Sequence, residues 1–353
     1  MSKKVGFKLA TLAASIALAM ASTAALAAAP TATQLPGAGN VVVGAGTTSA
    51  GAITSGAQTI TLGGNAVINW GATSGATINA TSQPAGFNIG SGAVLTFAGT
   101  GAVLNVDVSG NASQIFGGLT SSAGNLYVAN ANGIIVGATA QISSTAGDVG
   151  LIANKLGPTT AFAGNITDVG YNGTGGNVTV QTGATIDGAT VLVSGGGTVN
   201  VDLSTLTSGN VTLSAGLPNS GGAFATTNPN ASLVVSGTQG GATLVGFDSA
   251  GNASNSGTLT LGSNAAVAGT LTNTGTLTLD GTFAIDGALV NNKTVTQTGD
   301  ASMGSLTNNG AYNGATFNLF TTAGGLTNSG QITTTGDIEV TGGDLTHNGQ
   351  LSS

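Results

Sequence analysis

The chain has 353 residues, of which 5% are charged and 61 are glycine. Its five cations are all lysine, they face twelve acidic residues, and there is no cysteine. So few cations exclude nucleic acid as a partner, since phosphate neutralisation needs clustered Lys and Arg, and they argue against anionic membrane for the same reason. The hydrophobic fraction of 41% comes as short alternating runs of Val, Ile, Leu and Thr. Such runs suit pleated, half-buried strands and argue against low-complexity disorder.

The first segment, "MSKKVGFKLATLAASIALAMASTAALAAAP", carries Lys3, Lys4 and Lys8, then an apolar stretch, then small residues. Ala25-Leu26-Ala27 fits the A-x-A cleavage rule, so residues 1–27 are expected to be a signal peptide with the mature chain starting near Ala28. A membrane anchor is the weaker reading, because the run is short and rich in alanine. After cleavage only Lys155 and Lys293 remain as cations. An exported chain without cysteine either draws its stability from elsewhere or keeps itself free of cross-links that would obstruct a narrow pore.

Residues 31–64 are expected to include an N-terminal cap over the open end of a solenoid. Four marks follow: "AVINW" (Ala66–Trp70), "FNIGSGAVLTF" (Phe87–Phe97), "SQIFGGL" (Ser113–Leu119) and "NLYVANANGIIVGATAQI" (Asn125–Ile142). Between the first two lies "GATSGATINATSQPAG", which reads as an extra loop or as nearly a whole extra coil. Trp70 is the one tryptophan. It reads as a core plug or cap residue, with exposed recognition as the alternative. Phe87, Phe97 and Phe116 are assigned to the core. In Asn130-Ala131-Asn132-Gly133 the asparagines are expected to cap a tight turn, with Gly133 supplying an unusual φ. The competing reading is direct contact with a partner. The triplet Asn165-Ile166-Thr167 is put down to turn chemistry rather than glycosylation.

The C-terminal third repeats. Its anchors are Asn255, Asn273, Asn291, Asn308, Asn328 and His347, spaced 18, 18, 17, 20 and 19. Two residues earlier stands Leu271, Leu289, Leu306, Leu326 or Leu345. Four residues later stands Leu259, Leu277, Val295, Tyr312, Ile332 or Leu351. Both sets are expected to point inward. Two residues after the anchor is glycine, except at Lys293, as a left-handed turn would favour. Short runs such as "TLTL", "TFAI" and "ALVN", separated by Asp-Gly pairs, give three strands and three turns per period. That is one coil of a parallel β-helix, with Leu stacking on Leu inside and Asn on Asn at a corner. An antiparallel meander with Asp-Gly hairpins fits less well, because the runs are four residues long and the whole pattern repeats.

Catalytic, metal and cofactor sites are not expected. His347 is the single histidine and occupies an anchor position. Asp337 and Glu339, with Asp344 nearby, read as a solvated face. A carbohydrate-cleaving pair or a weak calcium site is the alternative. A polysaccharide lyase or hydrolase would need acidic and basic groups clustered on one sheet, and two cations supply little of that.

In order and rough spacing, the four marks from Asn65 to Leu156 resemble the N-terminal secretion domain of the filamentous haemagglutinin family, the exoproteins of Gram-negative two-partner secretion. The matching residues are Ile68, Asn69 and Trp70; Phe87, Asn88, Ile89 and Gly90; Ser113, Ile115 and Gly117; and Asn130, Asn132, Gly133 and Ile134, with Gly137 beyond. Ala131 departs from the usual proline, and the stretch from 71 to 86 departs from the usual direct passage between the first two marks.

The resemblance implies an all-β, right-handed parallel β-helix, a pectin-lyase-like solenoid with an N-terminal cap. It implies export by the Sec machinery, recognition by an outer-membrane transporter of the Omp85 superfamily, and folding at the cell surface or in the medium. On this reading residues 28–240 are the secretion domain and 241–353 a repeat shaft. The shaft would act as an adhesin or haemagglutinin-like rod towards glycans or proteins of neighbouring cells. Haemolysin, haem-capture and contact-dependent inhibition roles stay open within the family. The ending "LTHNGQLSS" stops inside a repeat and lacks the terminal aromatic of an autotransporter barrel. It is read as a fragment of a longer exoprotein or as a short member.

Overall fold

Short strands in this chain pair with the equivalent strand one coil away, nearly always in parallel. The computed structural model describes residues 28–44, 46–50, 56–72, 74–79, 86–207, 210–215, 232–236, 253–255, 258–261, 266–267, 270–314, 319–321 and 324–352. The expected signal peptide with Ala25 and Ala27, and the expected domain boundary near residue 240, lie outside them. The architecture is a parallel β-helix. Its sheets hold six, eight, twelve and nine strands.

Each N-terminal coil visits three faces in turn. Face 1 holds Ala57–Gly63, Val94–Thr100, Gly118–Ser121 and Gln141–Ser144. Face 2 holds Ala66–Trp70, Val103–Asp107, Leu126–Ala129 and Val149–Leu156. Face 3 holds Asn88–Ile89, Ser113–Ile115, Ile134–Val136 and Val178–Val180. Registers are regular: Leu126 pairs with Val103 on one side and Val149 on the other. Face 3 continues as one twelve-stranded sheet to Gln350–Ser352.

The inward residues make one apolar cluster from Leu35 to Ile332. It contains every inward Leu, Val and Tyr assigned above from Leu271 to Ile332. Leu345 and Leu351 differ. They are 61% and 50% exposed in the last described coil. Leu259 pairs in register with Leu277.

The cap is built from two separate segments. Gly39–Val43 pairs antiparallel with Ala66–Trp70, and Thr48–Ala50 pairs antiparallel with Ala57–Gly63. The stretch after Trp70 then comes back onto the cap. Ile78 bridges Gly39 and is buried. The Asn79 side chain bonds the Pro36 carbonyl oxygen at 2.8 Å and the buried Gln58 amide. So the described part of this insertion is a cap element, neither a free loop nor a coil.

Two expectations about the C-terminal turns are corrected. Strand Phe283–Asn291 runs through Asp286-Gly287 without turning. Its register with Ala301–Asn308 slips between Ile285 and Ala288, so this Asp-Gly is a bulge that bends one strand from face 1 to face 2. That is why the nine-stranded sheet occupies both positions here. Asp280-Gly281 does turn between strands, with Gly281 at φ 91°.

The second correction concerns Gly310, Gly330 and Gly349. None has the left-handed φ that was expected. A Cβ at any of them would collide with the backbone of the coil before: Lys293, Gly310 and Gly330 respectively. Close approach between coils, rather than turn sign, selects glycine there. No helix among the described residues is long and apolar enough to cross a membrane.

Candidate functional site

The chain turns from face 2 to face 3 at one corner in every coil, and the family-like marks meet there. Trp70 pairs in register with Asp107, and Ala129 with Val106, so Trp70, Asp107 and Asn130 form one inward column. Asp107 is 5% exposed. Its Oδ2 accepts the Phe87 backbone N–H at 2.8 Å and the Ser113 hydroxyl at 2.8 Å, and its Oδ1 accepts the Ser109 N–H at 2.9 Å. The Ser113 oxygen in turn accepts from Asn130 Nδ2 at 2.9 Å. Asn130 Nδ2 also donates to the Asn111 carbonyl at 2.7 Å, and its Oδ1 accepts the Asn132 N–H at 2.8 Å. A continuous polar chain thus links Phe87, Asp107, Ser113, Asn130 and Asn132. Three donors converge on the Asp107 carboxylate, which therefore ties Phe87, Ser109 and Ser113 together.

The turn itself separates its two asparagines. Asn130 is buried, whereas Ala131 and Asn132 are exposed. Gly133 has φ 121°, a value that side chains avoid, and its N–H bonds the Asn130 carbonyl at 3.0 Å. The exposed side of the turn offers Asn132 to solvent, while the buried side locks the coil.

Trp70 is fully buried beneath the cap. Its ring lies 5.6 Å from that of Phe87, its Nε1–H donates to Asn105 Oδ1 at 2.9 Å, and Gly39 leaves room above it. Asn105 passes the connection on through Nδ2 to the Tyr127 carbonyl at 3.1 Å. Ile68, Phe87, Ile89, Ile115 and Ile134 line the same core. Asn88 Oδ1 accepts the Gln114 N–H at 2.9 Å, between adjacent face 3 strands. Gly90 lies under the Thr31 and Ala32 backbone, and Gly117 under Gly90, each too close for a Cβ. Asn69 is half-buried, and its Oδ1 is the one buried side-chain oxygen or nitrogen without a hydrogen-bond partner among the described residues.

Phe97 is in the core, but Phe116 is not. Phe116 points outward, half-buried, and its ring lies across Gly137 of the next coil, where any side chain would collide with it. The glycine after Ile134 is thus explained as the seat of an outer aromatic ring.

The C-terminal asparagines occupy the same corner, because each also ends a face 2 segment and precedes a face 3 strand. Asn273 Nδ2 donates to Asn291 Oδ1 at 2.9 Å, Asn291 to Asn308 at 2.7 Å, and Asn308 to Asn328 at 2.8 Å. All four are fully buried. Each Nδ2 also bonds a carbonyl of the next coil: Thr294, Ala311, Gln331 and Gln350 in order. At Asn273, Asn291 and Asn328 the Oδ1 accepts the N–H two residues on, at 3.2 Å. Asn255 pairs in register with Asn273. At the far end Asn328 Nδ2 lies 3.2 Å from Nδ1 of the exposed His347.

Asp337, Glu339 and Asp344 are all exposed, and Asp337 precedes the strand Ile338–Val340 rather than lying in it. No group of three or more His, Cys, Asp or Glu side chains that could hold a metal ion occurs among the described residues. Tyr312 is fully buried with its hydroxyl on Gln297, and burial pushes its phenol well above the usual range.

Sequence reasoning missed Asp107 and Asn105. A signal was available: aligning "VLNVD" (Val103–Asp107) with "LYVAN" (Leu126–Asn130) puts the aspartate directly over the asparagine.

No family model and no curated protein matches the chain. Among solved structures it is similar to the HMW1 secretion domain from Haemophilus influenzae. The identity is 15% and the TM-score 0.40, over 90% of this chain and 100% of that one. So weak a likeness decides nothing about function.

Proposed function

We propose that the chain is a secreted exoprotein of the two-partner pathway. Residues 28–240 act as its secretion domain and the later coils as a surface rod of adhesin or haemagglutinin type. The observation that carries this reading is the convergence of the family-like marks on one corner beneath the N-terminal cap. Phe87, Ser113, Asn130 and Asn132 belong to three separate marks, yet one hydrogen-bond chain joins them through Asp107. That corner belongs to the coils that follow the leader most closely, where recognition of an emerging chain would begin. The partner is an outer-membrane β-barrel transporter of the Omp85 superfamily. The leader hands the chain to the Sec machinery, and the folded product sits at the surface or in the medium of a Gram-negative cell.

Co-expression with a cognate barrel transporter tests this directly. Accumulation in the medium should require the transporter, and equal export without it would overturn the reading. Asn132→Ala separates recognition from folding, because Asn132 is exposed while Asn130 is buried. Reduced export with an unchanged melting temperature is the expected result if the turn is read by the transporter.

A further inference from the structure

Face 2 has a second apolar side. Face 1 strands alternate between exposed and buried positions, as Ala57–Gly63 does throughout its length. Leu126–Ala129 is buried at every position, and Ala66–Trp70 and Val103–Asp107 nearly so. The outward residues Val67, Leu104, Tyr127 and Ile152 form an apolar cluster of their own on the outside of the coils. They are covered by Phe162, Ile166 and Val169, from a segment that leaves the helix after face 2 and returns before face 3. Phe162 meets Tyr127 edge to face, with ring centroids 6.1 Å apart. Two asparagines at the rim hold this segment: Asn65 Nδ2 bonds the Ala163 carbonyl, and Asn125 Nδ2 bonds the Gly164 carbonyl at 2.9 Å.

Residues 157–170 are organised from within. Gly157 N–H bonds the Gly170 carbonyl at 3.1 Å, so the two ends meet, as in a compact Ω-type loop. Gly170 has φ 67°, a left-handed value that favours glycine, and just outside the loop Leu156 pairs antiparallel with Tyr171, so both ends are anchored to the sheet while 157–170 projects from it. Inside, Asp168 Oδ2 accepts the N–H groups of Ala163 at 3.0 Å and Asn165 at 2.9 Å. Asn165 caps the short helix Ile166–Asp168 by accepting the Thr167 N–H at 3.1 Å. The coils underneath pair with one another through strand ladders that do not involve this segment.

We infer that residues 157–170 are a lid that closes as a preformed unit over coils already stacked. Opening it uncovers the apolar face of Val67, Leu104, Tyr127 and Ile152 without unwinding the helix. The lid is the occupant of that face in the folded protein. Chain order gives the device a direction, because residues 66–129 precede the lid and their outer face stays bare until the lid arrives. The inference does not depend on the secretion pathway.

The test uses the full-length chain carrying Phe162→Asp, which spoils the lid's seat, and separately Asp168→Ala, which loosens the lid without touching the sheet. In at least one variant, far-UV circular dichroism should keep its strand signal. In that variant amide protection within 157–170 should fall by tenfold or more, and binding of an apolar dye should rise severalfold. Loss of the strand signal in both variants would overturn the proposal, because the coils would then need the lid to stack. Unchanged exchange and dye binding in every variant that keeps its strand signal would overturn it equally.

Discussion

One corner of the β-helix is built in two ways. In the N-terminal coils it is a mixed chain of Asp107, Ser113 and Asn130, tied to backbone groups that differ from coil to coil. In the C-terminal coils it is a single residue type from Asn273 to Asn328, each amide donating to the next asparagine along the ladder and to a carbonyl of the next coil. Both solve one problem: a buried turn must satisfy its backbone polar groups without water. The uniform ladder lets any coil follow any other, at spacings of 18, 17 and 20 residues. The mixed corner fits one order of coils only, under one cap, and so it specifies a particular piece of structure. Under the proposed function such individuality suits the N-terminal coils, which a transporter would have to recognise.

The comparison breaks most visibly at Asp107. Asp107→Ala leaves the Phe87 N–H, the Ser109 N–H and the Ser113 hydroxyl without their acceptor. A loss of about 4 kcal/mol is expected, since buried groups left unpaired cost roughly 1–3 kcal/mol each. Denaturant titration would check it. A loss under about 1 kcal/mol would mean that the mixed corner is decorative. Asn291→Ala should cost less, about 3 kcal/mol, because the neighbours Asn273 and Asn308 keep their other bonds. Ladder members should also be coupled. In a double-mutant cycle Asn291→Ala and Asn308→Ala are expected to interact by about 1 kcal/mol, whereas Asp107→Ala and Asn291→Ala should be additive.

Tyr312 sharpens the same contrast from inside the C-terminal coils. Burial raises the phenol's pKa in the folded state above its unfolded value, so the folded protein holds the proton more tightly. The corresponding stability is complete below pH of about 10 and is lost as pH rises beyond it. Wild type should therefore weaken in alkaline melts above that point, and Tyr312→Phe should flatten the dependence. An equally steep decline in the variant would place the alkaline limb elsewhere.

Legibility in the sequence follows the same division. Repetition is visible in one dimension, so the coil, the inward leucines and the anchor asparagines could all be read from spacing. Alignment with Leu126–Asn130 places Asp107 in the asparagine column, but its partners stay hidden, because Phe87 and Ser113 sit at unequal distances on either side and are joined only by folding. Phe116 was misplaced because an aromatic suits a core and an outer glycine seat equally well until the next coil is known. The insertion after Trp70 was ambiguous because Ile78 pairs backwards with Gly39, a contact that periodicity does not encode. At Gly310, Gly330 and Gly349 the sequence shows that a side chain is excluded, but not that the backbone of the preceding coil excludes it.

The smallest expected effect lies where the ladder ends. His347 takes the place of an asparagine in register with Asn328. Its imidazole meets the Asn328 amide at 3.2 Å, longer than the 2.7–2.9 Å between successive asparagines. A ring nitrogen can serve that amide as an acceptor, but it has no amide N–H to pass on beside it. An asparagine would supply both groups, with its Oδ1 towards Asn328 and the N–H of Gly349. His347→Asn should therefore stabilise the last described coil by about 0.5 kcal/mol, a modest gain because the position is exposed. Amide exchange at Leu345–His347 and Gln350–Ser352 should slow, while the coils around Asp107 stay unchanged. Slower exchange at both ends would show that the two corners are one cooperative structure rather than two solutions to the same turn.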